Sequence, residues 1–122
     1  MRTTSMLLDH DVLIDAGTGV GDLSVSELAR IDHIFVTHSH MDHVVSIPFL
    51  VDTVGWMRNR PITVYVTQET RAILQEHLFN WKLWPDFTQI PNGSHPVFGF
   101  QTIAVDVPVR LGGRCITALP AN

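Results

Sequence analysis

Ile31-Asp32-His33-Ile34-Phe35-Val36-Thr37-His38-Ser39-His40-Met41-Asp42-His43 is an apolar strand that runs directly into a cluster of metal-ligand side chains. Three imidazoles and a carboxylate fall within six positions, in the order His-x-His-x-Asp-His. That donor set belongs to first-row metal chemistry, with zinc the leading candidate. The spacing carries geometry as well. His38 and His40 are two residues apart, so an extended segment points them to the same side. Asp42 and His43 follow where a helix can begin, which turns them towards a second point close by. One short loop can thus serve two adjacent divalent ions.

Upstream, Thr3 to Leu8 and Val12 to Asp15 read as two strands around the turn Asp9-His10-Asp11. The acids and His10 there fit turn chemistry better than a metal site. Gly17, Gly19 and Gly21 open the backbone after the second strand, but no phosphate-binding fingerprint follows them. Ser24 and Glu27 have the spacing of a capping box for a short helix ending near Arg30. The strand Ile31 to Thr37 then delivers the motif at its carboxyl end, the end at which open α/β sheets place ligand sites.

Downstream, Pro48 cannot occupy a helix interior but suits a first turn, so a short turn over 42–46 precedes a helix over 47–57. Val51 and Val54, with Ile47, Phe49 and Leu50, leave that helix little polar face, which predicts burial. Ile62 to Val66 is a strand, and Gln68 to Phe79 an amphipathic helix with Ile73, Leu74 and Leu78 on one side. Phe100 to Val105 and Arg114 to Leu119 read as late strands split by a loop with Gly112-Gly113. Cys115 lies in an apolar run and reads as a small buried hydrophobe. His33 packs or bonds beside its strand, His77 sits on a helix surface, and His95 lies in a Pro/Gly-rich loop. The aromatic run from Phe79 to Phe87 offers packing or self-association first and substrate contact second, which leaves room for a homo-oligomer.

A chain of 122 residues, 45% apolar and 16% charged, accommodates one domain with one core. Eight basic and 12 acidic side chains give a net charge of −4, which argues against a nucleic-acid polymer held on a basic surface. A small anion remains compatible, since bound cations would dominate the local field. No apolar run reaches the length of a membrane span, and the N-terminus lacks the basic-then-apolar pattern of a signal peptide, so a cytoplasmic protein is favoured. The single cysteine excludes an internal disulfide.

The segment from Ile31 to His43 resembles the signature of the metallo-β-lactamase superfamily, and Leu13-Ile14-Asp15-Ala16-Gly17 resembles the strand motif that precedes it there. Four further stretches resemble the class II 3′,5′-cyclic-nucleotide phosphodiesterases of that superfamily. They are Ala16 to Gly21, Ser46 to Gly55, Asn80-Trp81 with Trp84-Pro85-Asp86-Phe87, and Ile116-Thr117-Ala118-Leu119-Pro120-Ala121-Asn122. The resemblance implies an α/β fold: a partial metallo-β-lactamase fold, an αββα sandwich represented mainly by its N-terminal half, as a single incomplete domain over residues 1–122. In the family a strand and Gly-rich loop precede the equivalent of Arg2. A further histidine ligand, a bridging aspartate and another histidine follow the equivalent of Asn122. The expectation is therefore a chain truncated at both ends and inactive alone, which also leaves a periplasmic location open.

For the complete enzyme the resemblance implies a two-metal phosphodiesterase acting on cyclic AMP or cyclic GMP. His38 and His40 would hold one ion, and Asp42 and His43 the other. Two such cations lower the pKa of a shared water and clamp the attacked phosphoryl group, opening the cyclic ester to a 5′-nucleotide. Asp42 would have a catalytic part too, aiming the attacking oxygen. Asp15 is either a carboxylate partner for a ligating histidine or a strand-end hydrogen-bonding group. Another hydrolase on the same scaffold, acting on RNA, a phosphonate or a thioester, is the alternative.

Overall fold

Strand β1 (Ser5–Leu8) and strand β2 (Val12–Ala16) pair antiparallel across Asp9-His10-Asp11, with Asp9 in the left-handed region at φ 56°. Aspartate tolerates that conformation better than bulkier residues, which is why the turn is built from it. The computed structural model describes residues 3–120, so Ala121 and Asn122 of the last family-like stretch lie outside the described residues. Three more strands continue the sheet: β3 (His33–Phe35), β4 (Ile62–Val66) and β5 (Phe98–Thr102). The order is β1-β2-β3-β4-β5, with β2 to β5 parallel. Parallel neighbours need crossovers, and helices supply them. Helix α1 (Val25–Leu28) leads into β3, α2 (Met41–Val44) and α3 (Ser46–Val54) link β3 to β4, and α4 (Gln68–His77) precedes β5.

The local signals explain these boundaries. Ser24 Oγ accepts from the Glu27 amide and the Glu27 carboxylate accepts from the Ser24 amide, the reciprocal cap that starts α1. Pro48 sits in the first turn of α3, where no intrahelical donor is needed. Thr67 Oγ1 caps α4. Helix α3 buries Ile47, Leu50, Val51 and Val54 against the sheet, while Phe49 points outward. Strand β3 is shorter than the stretch from Ile31 to Thr37. Asp32 and His33 bond to the Asp11 carbonyl at its start, and the Val36 amide still bonds to Tyr65 O beyond its end.

Alternation along the strands makes both faces apolar, as a parallel sheet requires. Leu13, Ile34, Ile62, Val64 and Phe98 face the helices. Val12, Phe35 and Tyr65 face the other way, the two rings stacked 4.2 Å apart. A separate antiparallel ribbon, β6 (Pro108–Leu111) and β7 (Arg114–Thr117), covers this second face through Val109, Leu111 and Ile116.

The ribbon brings two corrections. A strand, β6, occupies part of what reads as loop; Pro108 begins it, a position that costs an edge strand little. Gly112-Gly113 is then a two-residue hairpin turn, with Gly112 at φ 62°. Cys115 is exposed rather than buried, because Arg114 and Ile116 take the inward register of β7 and Cys115 falls between them. The late strand of the main sheet also starts at Phe98 and stops at Thr102, earlier at both ends than the expected Phe100 to Val105.

Arg114 ties the ribbon to the β1–β2 turn. Its guanidinium forks onto Asp11 at 2.5 and 2.8 Å and reaches Asp9 at 3.1 Å. The Arg114 hydrogen bond holds the Asp11 carboxyl down at about 2, from an ordinary 3.8. A depressed carboxylate contributes stability above its unfolded pKa and loses it as protons bind. Acid should therefore cost the parent protein stability between about pH 4 and pH 2, and Arg114→Gln should flatten that part of the profile. Melting temperatures across that range would check this; parallel curves for parent and variant would assign the acid sensitivity to other groups.

Candidate metal centre

The motif leaves the sheet at the carboxyl end of β3, and a backbone irregularity on the neighbouring strand receives it. The β1–β2 register runs Ser5 to Ala16 and then Met6 to Ile14, which skips Asp15. Asp15 is thus a bulge residue, at φ 59° and only 2% exposed. Its carboxylate turns across the carboxyl ends of β2 and β3 towards the motif. Oδ1 accepts from the Thr37 amide at 2.7 Å, and Oδ2 from the Thr37 hydroxyl at 2.6 Å. His43 Nδ1 lies 2.9 Å from the same Oδ2.

These contacts assign proton positions on two imidazoles. A carboxylate only accepts, so His43 Nδ1 donates and a neutral ring keeps its lone pair on Nε2. The Thr37 hydroxyl has spent its one proton on Asp15, so His38 Nδ1, 2.9 Å from Thr37 Oγ1, donates to it. His38 is thereby also left with a free lone pair on Nε2. Asp15 and Thr37 together set two metal-competent tautomers.

The four motif side chains gather at one surface. The rings of His38 and His43 are 4.7 Å apart and those of His38 and His40 6.2 Å. His43 Nε2 stands 3.5 Å from Asp42 Oδ2, so the donor atoms of this pair face a common point. His38, His40 and Asp42 are exposed and His43 is half-buried. Helix α2 begins at Met41 with His40 as its extended N-cap, which sets His38 and His40 on loop and Asp42 and His43 on helix. Imidazole and carboxylate are the donor types that divalent cations of the zinc type take.

Two small groups let the loop lie so close. Gly17 donates its amide to Thr4 O at 2.9 Å and accepts from Ser46 Oγ at 2.8 Å. A Cβ at Gly17 would come closer than 3.0 Å to Asp42 O, Thr3 Oγ1 and Thr4 O. Thr37, Ser46 and Gly17 escape a reading of the sequence as site residues. The signal available for Thr37 is its place between an apolar strand and the first histidine.

Thr37→Val should keep the shape and lose the bridging hydroxyl. The expected result is a loss of zinc affinity of about ten-fold, the lower range for an outer partner of a metal ligand. Thr37→Ser should restore it. Equal affinity of parent and valine variant, by competition titration with a chromogenic chelator, would remove Thr37 from the site.

A second cluster forms at the other end of the strands. Donor atoms of Asp11, Asp32 and His33 all lie within 4.8 Å of one another. Guanidinium groups already neutralise both carboxylates: Arg114 on Asp11, and Arg58 and Arg60 on Asp32 at 2.6 and 2.7 Å. Burial opposes the charge on Asp32, but hydrogen bonds from Arg60 and Arg58 override it and leave its pKa below the usual range. Burial lowers the His33 pKa, and its Nδ1 lies 2.9 Å from the Tyr65 hydroxyl. This is an ion-pair junction, in which guanidinium groups occupy carboxylate oxygens that a metal would need.

The remaining sequence candidates fall elsewhere. Phe79 and Phe87 pack into the core, Phe79 against Phe98, and Trp84 meets Phe49 edge-on at 5.3 Å. Trp81 and Leu83 stay exposed. His77 is on the surface of α4, and His10 and His95 line clefts at the amino ends of the parallel strands.

A parallel sheet with this histidine-rich loop at the end of β3 matches the model of the beta-lactamase superfamily domain over residues 10–122. The chain belongs to that superfamily, and its fold is a partial metallo-β-lactamase fold. Ribonuclease Z of Thermococcus kodakarensis is 29% identical over 103 residues, covering 74% of this chain and 33% of that protein. A probable 3′,5′-cyclic-nucleotide phosphodiesterase of Yersinia pestis is 31% identical over 64 residues, 52% of this chain and 17% of that one. The chain therefore spans a third or less of the length of these two relatives. Among solved structures, unliganded yeast PDE1 superposes with a TM-score of 0.63 at 21% identity, over 73% of this chain and 24% of that one. Zn²⁺-bound PqqB from Methylobacterium extorquens also gives 0.63, at 17% identity over 95% of this chain and 40% of its own. No helix of the described residues is long and apolar enough to cross a membrane.

Proposed function

We propose that the chain supplies the metal-holding part of a phosphodiesterase that opens 3′,5′-cyclic nucleotides to 5′-nucleotides. The observation that carries a metal-dependent reading is the shared use of Asp15 by Thr37 and His43. It leaves a lone pair on Nε2 of His43, 3.5 Å from Asp42 Oδ2, and, through Thr37, another on Nε2 of His38. In this reading His38 and His40 hold one divalent ion, and Asp42 and His43 the second. Such ions, when bound, supply Lewis acidity towards a phosphoryl oxygen. Asp15 fixes the His43 ring, Thr37 fixes that of His38, and the free oxygen of Asp42 aims the attacking group.

The choice of a cyclic nucleotide rests on the likeness to the Yersinia pestis protein and on charge. A surface with a net charge of −4 suits a small anion better than a polyanion. Cleavage of RNA is the second reading, favoured by the longer alignment with the Thermococcus kodakarensis ribonuclease Z. Zinc- or manganese-loaded protein carrying this chain should be given cyclic AMP, cyclic GMP and a structured RNA in parallel. Turnover of a cyclic nucleotide with RNA left intact supports the first reading, and the converse establishes the second.

A further inference from the structure

At the amino ends of β3 and β4, opposite the histidine-rich loop, an open cleft of about 520 Å³ lies between the β1–β2 turn and the segment that follows α3. Its chemistry differs from that of the rest of this acidic chain. Arg30, Arg58 and Arg60 line it, and Asp32 is the one acid among its lining residues. That acid is fully engaged. It accepts from Arg58 Nη2 at 2.6 Å and from Arg60 Nε and Nη2 at 3.2 and 2.7 Å. Asp32 thus locks two guanidiniums side by side while cancelling only one of three positive charges.

Donor capacity remains. Arg60 spends two of its five N–H groups on Asp32, and its side chain is 67% exposed. Arg58 is 6% exposed, donates to the Ala29 carbonyl, and keeps a buried Nε without a partner. An orphaned buried donor on a charged group is costly, and it is tolerated here beside a cleft that suits anions. Trp56, 72% exposed on the 3₁₀ turn Gly55–Met57, lines the same cleft as these cations. An indole held in water beside arginines offers a stacking face next to phosphate-matching forks.

We propose that this cleft binds a small organic phosphate bearing a flat ring, of the nucleoside 5′-monophosphate class. The phosphate lies on Arg30 and Arg60 and the ring on Trp56. The site needs no metal and lies roughly 16 Å from the motif, the length of five residue steps from Asp32 to Thr37. It is independent of the catalytic reading above.

The test is calorimetric titration of the chain with adenosine 5′-monophosphate, inorganic phosphate and adenosine. It is run in a chelator and repeated on a His38→Ala, His40→Ala variant that disables the motif. The monophosphate should bind more tightly than either fragment, and equally well in the disabled variant. Arg60→Gln, at an exposed position, should weaken it about ten-fold, as loss of a charge-assisted contact does. Trp56→Ala should weaken the nucleotide and leave phosphate unchanged. Arg30→Gln provides a second charge deletion. The proposal is overturned if adenosine or phosphate alone binds as well as the nucleotide. It also fails if the substitutions leave affinity unchanged, or if binding disappears with the motif histidines. Absence of phosphodiesterase activity would leave these outcomes untouched.

Discussion

Asp15→Ala is expected to remove about 2–4 kcal/mol of folding free energy, a large share of the roughly 5–15 kcal/mol that a domain has. Three hydrogen bonds converge on that carboxylate, from the Thr37 amide, the Thr37 hydroxyl and His43 Nδ1. Alanine strands those donors and must also adopt φ 59°, a region where short polar side chains are more at home. Asp15→Asn keeps the backbone preference and one acceptor oxygen, so it should cost about half as much by the same reasoning. Urea unfolding of the three proteins measures the difference. Asparagine and alanine variants as stable as the parent would show that neither the bulge nor the hydrogen bonds matter. Zinc affinity should fall about 10- to 100-fold in the alanine variant, since the His43 ring loses its anchor.

The other large effect belongs to Asp42. In the protein carrying this chain, Asp42→Ala should lower kcat on cyclic AMP by at least about 100-fold, the upper end of what losing an outer partner alone does. KM should move far less, because a group that holds an ion and aims the attacking atom acts chiefly in the transition state. His77→Ala is the internal comparison: that histidine is exposed on α4, far along the chain from the motif, and should change neither constant. Unaltered kcat in the Asp42 variant would place the reacting atoms elsewhere.

Several elements of the main sheet and the seat of the histidine-rich loop are legible from short-range signals. Ser24 and Glu27 announced α1, Pro48 split α2 from α3, and the apolar run before Thr37 marked β3. Legibility ended where a residue's part depends on a distant partner. Nothing near Thr37 in sequence says that its hydroxyl will lie between Asp15, 22 positions earlier, and His38. Arg114 reads as an unremarkable basic residue until it meets Asp11, 103 positions away. Cys115 is exposed because a ribbon that covers one face of a sheet buries alternate residues only, whereas its apolar run by itself reads as buried throughout. Arg58 and Arg60 carry no local motif either. Their pairing with Asp32 arises because parallel strands bring together the residues that precede them.

Gly17 gives the site a sensitivity that chemistry alone would not suggest. It offers no side chain and would touch no ion, yet it lies where Thr3, the Thr4 carbonyl and the Asp42 carbonyl meet. A saturation library at codon 17, selected for zinc retention, should return glycine almost exclusively, with alanine already depleted. Its tolerance profile would then look like that of a ligand, and a survey of variants that equated intolerance with chemistry would assign a role to an empty space.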